Sequence, residues 1–114
     1  MNWMIYCGKK NFDVQKAERF FKERRISYTL VDIKKNPPGR REIELFLLKL
    51  SPEDLIDFER AYLPRRERYS PEERALAVDA LLKDPSLIRY PIIRRGNDLI
   101  CGYDEKALTE AVGT

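Results

Sequence analysis

The order of apolar runs and helical stripes predicts an α/β fold: β-α-β, an all-helical insertion, then β-β-α, together forming a four-stranded mixed sheet. Three observations predict it. Short runs of strand-forming residues stand at Trp3–Cys7 and Tyr28–Ile33, with a helical stripe between them. A Gly96-Asn97 turn separates two further strand-like runs near the end. Between these two parts lie helix starts with recognisable caps and no strand pattern. A length of 114 residues suits one domain.

The elements follow in order. Trp3-Met4-Ile5-Tyr6-Cys7, ended by Gly8, reads as a buried strand. Asn11 is an N-cap residue, followed by Val14, Ala17, Phe20 and Phe21 at helical spacing. The helix is expected to end within Lys22–Arg25, where cations suit the negative end of the dipole. Tyr28–Ile33 is the second strand, and Asn36-Pro37-Pro38-Gly39 breaks the chain. Ile43, Phe46, Leu47 and Leu50 share one helical stripe. Ser51-Pro52 opens another helix, and Ser70-Pro71-Glu72-Glu73 forms a capping box for a helix through Leu76, Val78, Leu81 and Leu82. Tyr62–Tyr69 between them reads as a surface loop. Pro91–Arg94 and Leu99–Cys101 make the hairpin, and Asp104 caps a last helix with Ala107, Leu108, Ala111 and Val112. A β-α-β start implies parallel strands joined by a right-handed crossover. With the hairpin and last helix this gives a thioredoxin-like layout, residues 1–36 and 84–114 forming its halves and residues 37–83 the helical insertion.

Composition narrows the function. Hydrophobic residues make up 43% and charged residues 36%, with a mean hydropathy of -0.55. No apolar run is long enough to cross a bilayer, and the N-terminal residues lack a signal-peptide pattern, so a soluble cytoplasmic protein with no membrane contact is expected. With no histidine and two cysteines, neither a His-assisted nucleophile nor a usual zinc site can be built, and no metal is expected. The net charge of +3 is uneven. Residues 1–25 carry seven basic and three acidic side chains, while residues 70–114 carry six basic and eight acidic ones. That asymmetry suits an anionic ligand near the first helix, or an ordinary solvated face.

Three blocks carry a family resemblance. They are Ile5-Tyr6-Cys7-Gly8-Lys9-Lys10-Asn11 with Lys16–Phe21, then Asp84-Pro85-Ser86-Leu87-Ile88-Arg89-Tyr90-Pro91-Ile92-Ile93, then Cys101-Gly102-Tyr103-Asp104-Glu105. In this order and spacing they resemble the arsenate reductase family that also contains the regulator Spx. The second block is similar to the family's HPxLIxRPI stretch and the third to its VGYxED stretch. The resemblance implies that a reactive cysteine sits at the N-terminus of the first helix, where amides and dipole stabilise a thiolate. That position falls on Asn11, which cannot act as a nucleophile. The Spx-type second cysteine falls on Val14. The family arginine before the cis-proline falls on Tyr90, with Arg89 adjacent. A mid-chain arginine corresponds to Arg60, and an arginine of the last strand region has no counterpart near Cys101-Gly102. The scaffold stays where the reductase chemistry is missing.

Cys7 reads as a small buried hydrophobe at a strand end, the displaced nucleophile being the alternative. Thioredoxin-like sheets order their strands second, first, third, fourth, which implies that Cys7 and Cys101 fall two strand spacings apart, about 9–10 Å, beyond the limit of about 7 Å for a disulfide. Pro91 is expected to be cis by the resemblance, or else a proline opening a strand. Lys9, Lys10 and Asn11 are either an anion site or a cap with solvated lysines. Arg65, Arg66 and Arg68 with Tyr62 and Tyr69 make a basic aromatic patch, read as a solvated loop, and no direct nucleic-acid binding is expected.

The leading expectation is a non-catalytic domain that binds a partner protein or a small anionic or thiol ligand through Lys9, Lys10, Asn11, Arg60, Arg89, Tyr90 and Pro91. The rivals are a thiol oxidoreductase using Cys7, with glutathione as co-substrate, and an interaction module that dimerises through a helix or edge strand. The Spx resemblance further implies RNA polymerase as a conceivable partner. Apart from that conditional glutathione, no cofactor is expected.

Overall fold

Trp3–Cys7 (β1) is buried at four of its five residues, while Tyr28–Asp32 (β2) is nowhere fully buried. The difference follows from their places in the sheet. The computed structural model describes residues 2–9 and 11–113. Two compact units divide the chain, Met1–Asp32 with Tyr90–Thr114, and Ile33–Arg89.

The first unit holds β1, the helix Phe12–Glu23 (α1), β2, the hairpin strands Ile92–Arg95 (β3) and Asp98–Cys101 (β4), and the helix Glu105–Val112 (α5). Its sheet runs β2-β1-β3-β4, with β1 parallel to β2 and antiparallel to β3, and β3 antiparallel to β4. This is the thioredoxin-like mixed sheet expected from the element order. Ile5 faces Leu30 on one side and Ile93 on the other, and Ile93 in turn faces Ile100. A central strand is covered on both faces, which explains its unbroken apolar run. One core packs Trp3, Ile5, Ala17, Phe20, Phe21, Ile93 and Leu108 together. The Phe21 ring lies 5.2 Å from Trp3, 5.5 Å from Phe20 and 5.7 Å from Tyr28, measured between centroids. Fully burying such a ring contributes about 2–3 kcal/mol.

α1 stops through its backbone. The Ile26 amide donates to Phe21 O at 2.9 Å and the Arg25 amide to Lys22 O at 3.1 Å, with Arg25 at φ 55. This is the Schellman pattern, and Ile26 packs on the core that contains Phe21. A glycine would suit that left-handed position, so Arg25 holds strained backbone. The hairpin turn is the opposite case. Gly96, at φ 62, takes the first central position of a two-residue loop, where glycine is favoured.

The second unit is helical: Arg40–Lys49 (α2), Pro52–Leu55 (α3) and Pro71–Lys83 (α4), followed by a 3-10 turn at Pro85–Leu87. Ile43, Phe46 and Leu47 of α2 and Ala77, Val78 and Leu81 of α4 are buried. α3 is only four residues long because the next residues turn to a strand-like pairing. Ile56 bridges Ile88, the Asp57 amide donates to Leu87 O at 2.8 Å, and the Arg89 amide to Leu55 O at 2.7 Å. Leu76 stands on the outside of α4, 62% exposed, because that helix is apolar nearly all round and only one side is covered. Tyr69 corrects the expected surface patch. It is 8% exposed, and its hydroxyl donates to Pro64 O inside the loop, leaving Tyr62 as the patch's one exposed aromatic. Among the described residues no helix is long and apolar enough to cross a membrane.

Candidate functional site

β1 ends at Cys7, and the following loop delivers Asn11 to the start of α1. Asn11 has extended backbone and its Oδ1 accepts from the Val14 amide at 2.9 Å, the ordinary N-cap bond. The other half of the same amide is also engaged. Its Nδ2 donates to Tyr90 O at 3.3 Å, tying the helix start to a residue two positions before β3 and 79 positions away along the chain. The Tyr90-Pro91 bond is cis, as expected, and Pro91 is buried. An asparagine is well suited to this double duty, since it offers an acceptor and a donor on one short side chain. Aspartate would cap without donating to Tyr90.

Around that junction Lys9 is exposed and Phe12 is 80% exposed. Lys10 lies outside the described residues. The first-turn amides of Phe12 and Asp13 have no preceding carbonyl within the helix, so they form the receptive end of the α1 dipole. Asp13 places a carboxylate in the same turn. The end of α1 is thus polar and partly charge-balanced, with an aromatic side chain projecting beside it.

Cys7 does not share this setting. It is 3% exposed, at the last position of β1 and opposite Asp32 of β2. Cys101 belongs to β4, and among the described residues neither cysteine is in a disulfide. The two lie on strands separated by β3, as the strand order requires. No group of three or more His, Cys, Asp or Glu that could hold a metal occurs among the described residues.

Arg60 and Arg89 belong to the second unit. The Arg60 guanidinium donates to Ser86 O at 3.2 Å and Ser86 Oγ at 3.0 Å, and lies 3.7 Å from Asp84. The Ser86 hydroxyl, then its amide and the Arg60 charge, hold the Asp84 carboxyl below its usual range, against burial. Arg60 therefore clamps the turn after α4. The Arg89 backbone is spent on Leu55 and its side chain is exposed. Of the residues singled out from the sequence, Asn11, Tyr90 and Pro91 meet at one place. The Asn11–Tyr90 bond had no local signal. Phe12 did have one, since it is an aromatic lying off the buried stripe of Val14, Ala17, Phe20 and Phe21.

Comparison with solved structures gives the fold a wider setting. The chain is similar to the YffB (PA3664) protein, at TM-score 0.78 and 19% identity, with 96% of this chain and 98% of that one covered. An arsenate reductase-related protein from Brucella melitensis matches at TM-score 0.65 and 24% identity, over 100% and 96%. The arsenate reductase from Vibrio cholerae matches at TM-score 0.67 and 13% identity, over 99% and 97%. At these identities the likeness is one of fold. Neither a protein-family model nor a curated protein sequence matches the chain.

Proposed function

We propose that this chain, built on the fold of arsenate reductase-related proteins, is a non-catalytic binding domain that holds a small anionic or thiol-bearing ligand at the start of α1. One observation carries the reading. At the position where the resemblance places a reactive cysteine, the Asn11 side chain caps the helix and bonds Tyr90, while Cys7, the nearest cysteine in sequence, is buried on β1. An amide has no nucleophilic form at neutral pH, so no covalent cycle starts there. What the scaffold keeps is a helix end with open amides, with Lys9 before it and Phe12 beside it. A carboxylate, a sulfate or the glycine carboxylate of glutathione has the chemistry to sit there.

The test is an NMR titration of the ¹⁵N-labelled full chain with sodium sulfate and, separately, with glutathione. Saturable shifts centred on Asn11, Phe12 and Asp13, weakened in Lys9→Glu, are expected. Shifts spread evenly over the surface would remove the site. In a parallel assay with arsenate and glutathione, no turnover above the protein-free rate is expected. Turnover that disappears in Cys7→Ser would replace this reading with the oxidoreductase one.

A further inference from the structure

The helical unit carries an open trough of about 560 Å³ between α2 and α4. Its floor is apolar, formed by Leu45, Leu48, Ala75 and Val78. Leu48 is 67% exposed there, well outside the buried stripe of Ile43, Phe46 and Leu47. The rim is basic. Arg40 is neutralised by Asp79 at 3.1 Å, but among the described residues Arg41 and Arg74 have no side-chain hydrogen bond or ion pair, and one carboxylate, Glu44, shares the lining. A second hollow, of about 420 Å³, shares Leu48 and Arg74 and adds Lys49 and Arg68. That second hollow is lined mainly by polar groups, with Glu67 as its one carboxylate, so the cations, not the apolar floor, continue past the end of α2.

We propose that this trough docks an acidic, amphipathic helical segment of a partner protein, with its apolar face on Leu45 and Leu48 and its carboxylates against Arg41 and Arg74. Two helices flanking an apolar channel form the geometry that receives a third helix by its apolar stripe. The charge of the rim selects the occupant. A second copy docking here about a two-fold axis would set this cationic rim against the same cationic rim. A nucleic acid would gain little from the aliphatic floor and would find no exposed aromatic in the lining of either hollow, where the one aromatic, Tyr69, is buried. This inference is independent of the anion site at α1, and the variants that test it leave that site's sulfate titration unchanged.

The experiment uses the full chain and a fluorescein-labelled synthetic peptide of about 14 residues, long enough to form a helix on a surface. It carries Leu at i, i+3, i+4 and i+7 and Glu between. Anisotropy should show saturable binding that weakens with salt, and amide shifts should map to α2 and α4. The double change Arg41→Glu with Arg74→Glu should weaken binding about tenfold or more, as expected when rim charges are reversed. Leu48→Glu should abolish it. All three side chains lie on the surface, so circular dichroism should report an unchanged fold. Absence of saturable binding, equal binding of the peptide with Lys in place of Glu, or indifference to these variants overturns the proposal. So does tighter binding of a single-stranded oligonucleotide to the same residues, or a dimer in sedimentation that Leu48→Glu dissolves.

Discussion

Two helices of this chain begin with good caps, and they begin differently. α4 is closed entirely by its neighbours in sequence. Ser70 Oγ accepts from the Glu73 amide at 3.2 Å, the Glu73 carboxylate accepts from the Ser70 amide at 3.1 Å, Pro71 fills the first position, and Arg66 lies 2.6 Å from Glu73. α1 has no such box. Its third residue is Val14, its cap is one side chain, and half of that side chain is committed to Tyr90. The box at α4 brings its own charge and leaves little for a ligand. The start of α1 keeps open amides and borrows its rigidity from a distant strand. A helix end that is locally self-sufficient is structural, and one completed over long range can serve as a site.

The contrast can be broken or sharpened by substitution. The largest effect belongs to Asn11. Asn11→Ala removes the cap and the Tyr90 bond together and should cost about 1.5 kcal/mol in urea denaturation. Asn11→Asp keeps the cap and should cost clearly less; equal costs would mean that the Tyr90 bond contributes nothing. Ser70→Ala should cost about 1 kcal/mol, because the Glu73 half of the box survives. At the far end of α1, Arg25→Gly should raise stability by about 0.5 kcal/mol, since glycine takes φ 55 without strain. A loss of stability there would show that the Arg25 side chain does more than occupy the turn.

The smallest effect is in pH dependence. The Ser70 amide, with Arg66, holds the Glu73 carboxyl below its usual range against a smaller effect of burial. A lowered folded value means that this stabilisation is fully present above the ordinary carboxylate range and is lost as pH falls through the folded value. Hydrogen-exchange protection at the first turn of α4, taken relative to the intrinsic rate at each pH, should therefore fall in acid, and Glu73→Gln should flatten that response. The start of α1, with no capping carboxylate, should not follow it. At the alkaline side Tyr28 acts in the reverse sense. Burial, then its 2.9 Å hydrogen bond to Glu18 and that residue's charge, push its phenol up to about 12. Stability on its account is full below about pH 10, the ordinary phenol value, and is lost as pH rises through the folded value. Tyr28→Phe should remove this part of the alkaline loss in a pH series of denaturation curves.

The same division decides what could be read from the sequence. The capping box, the Asn11 cap, the buried strand before it and the Gly96-Asn97 turn are local patterns, and each stands where the residues place it. The sheet order β2-β1-β3-β4 is the one that the thioredoxin-like layout implies. What escaped was long-range. Nothing near Asn11 tells of Tyr90. Nothing near Arg60 tells that Ser86 and Asp84 take up its guanidinium, which makes it a clamp on the turn after α4. Tyr69 looked exposed beside three arginines until Pro64 O supplied an acceptor for its hydroxyl. In α4 the run Ala75-Leu76-Ala77-Val78 hides which side faces inward, so Leu76 could not be told from Val78.

The central claim is that the start of α1 presents an amide where sulfur would be reactive, with Cys7 shut away four residues earlier. Iodoacetamide alkylation of the native chain between about pH 5 and 9, read by mass spectrometry, tests it directly, because the thiolate is the reacting form. Cys7 should react only as the protein unfolds, while a cysteine placed by Asn11→Cys should react rapidly with a midpoint below that of an ordinary thiol. Rapid labelling of Cys7 in the unaltered chain, with a lowered midpoint, would contradict the account.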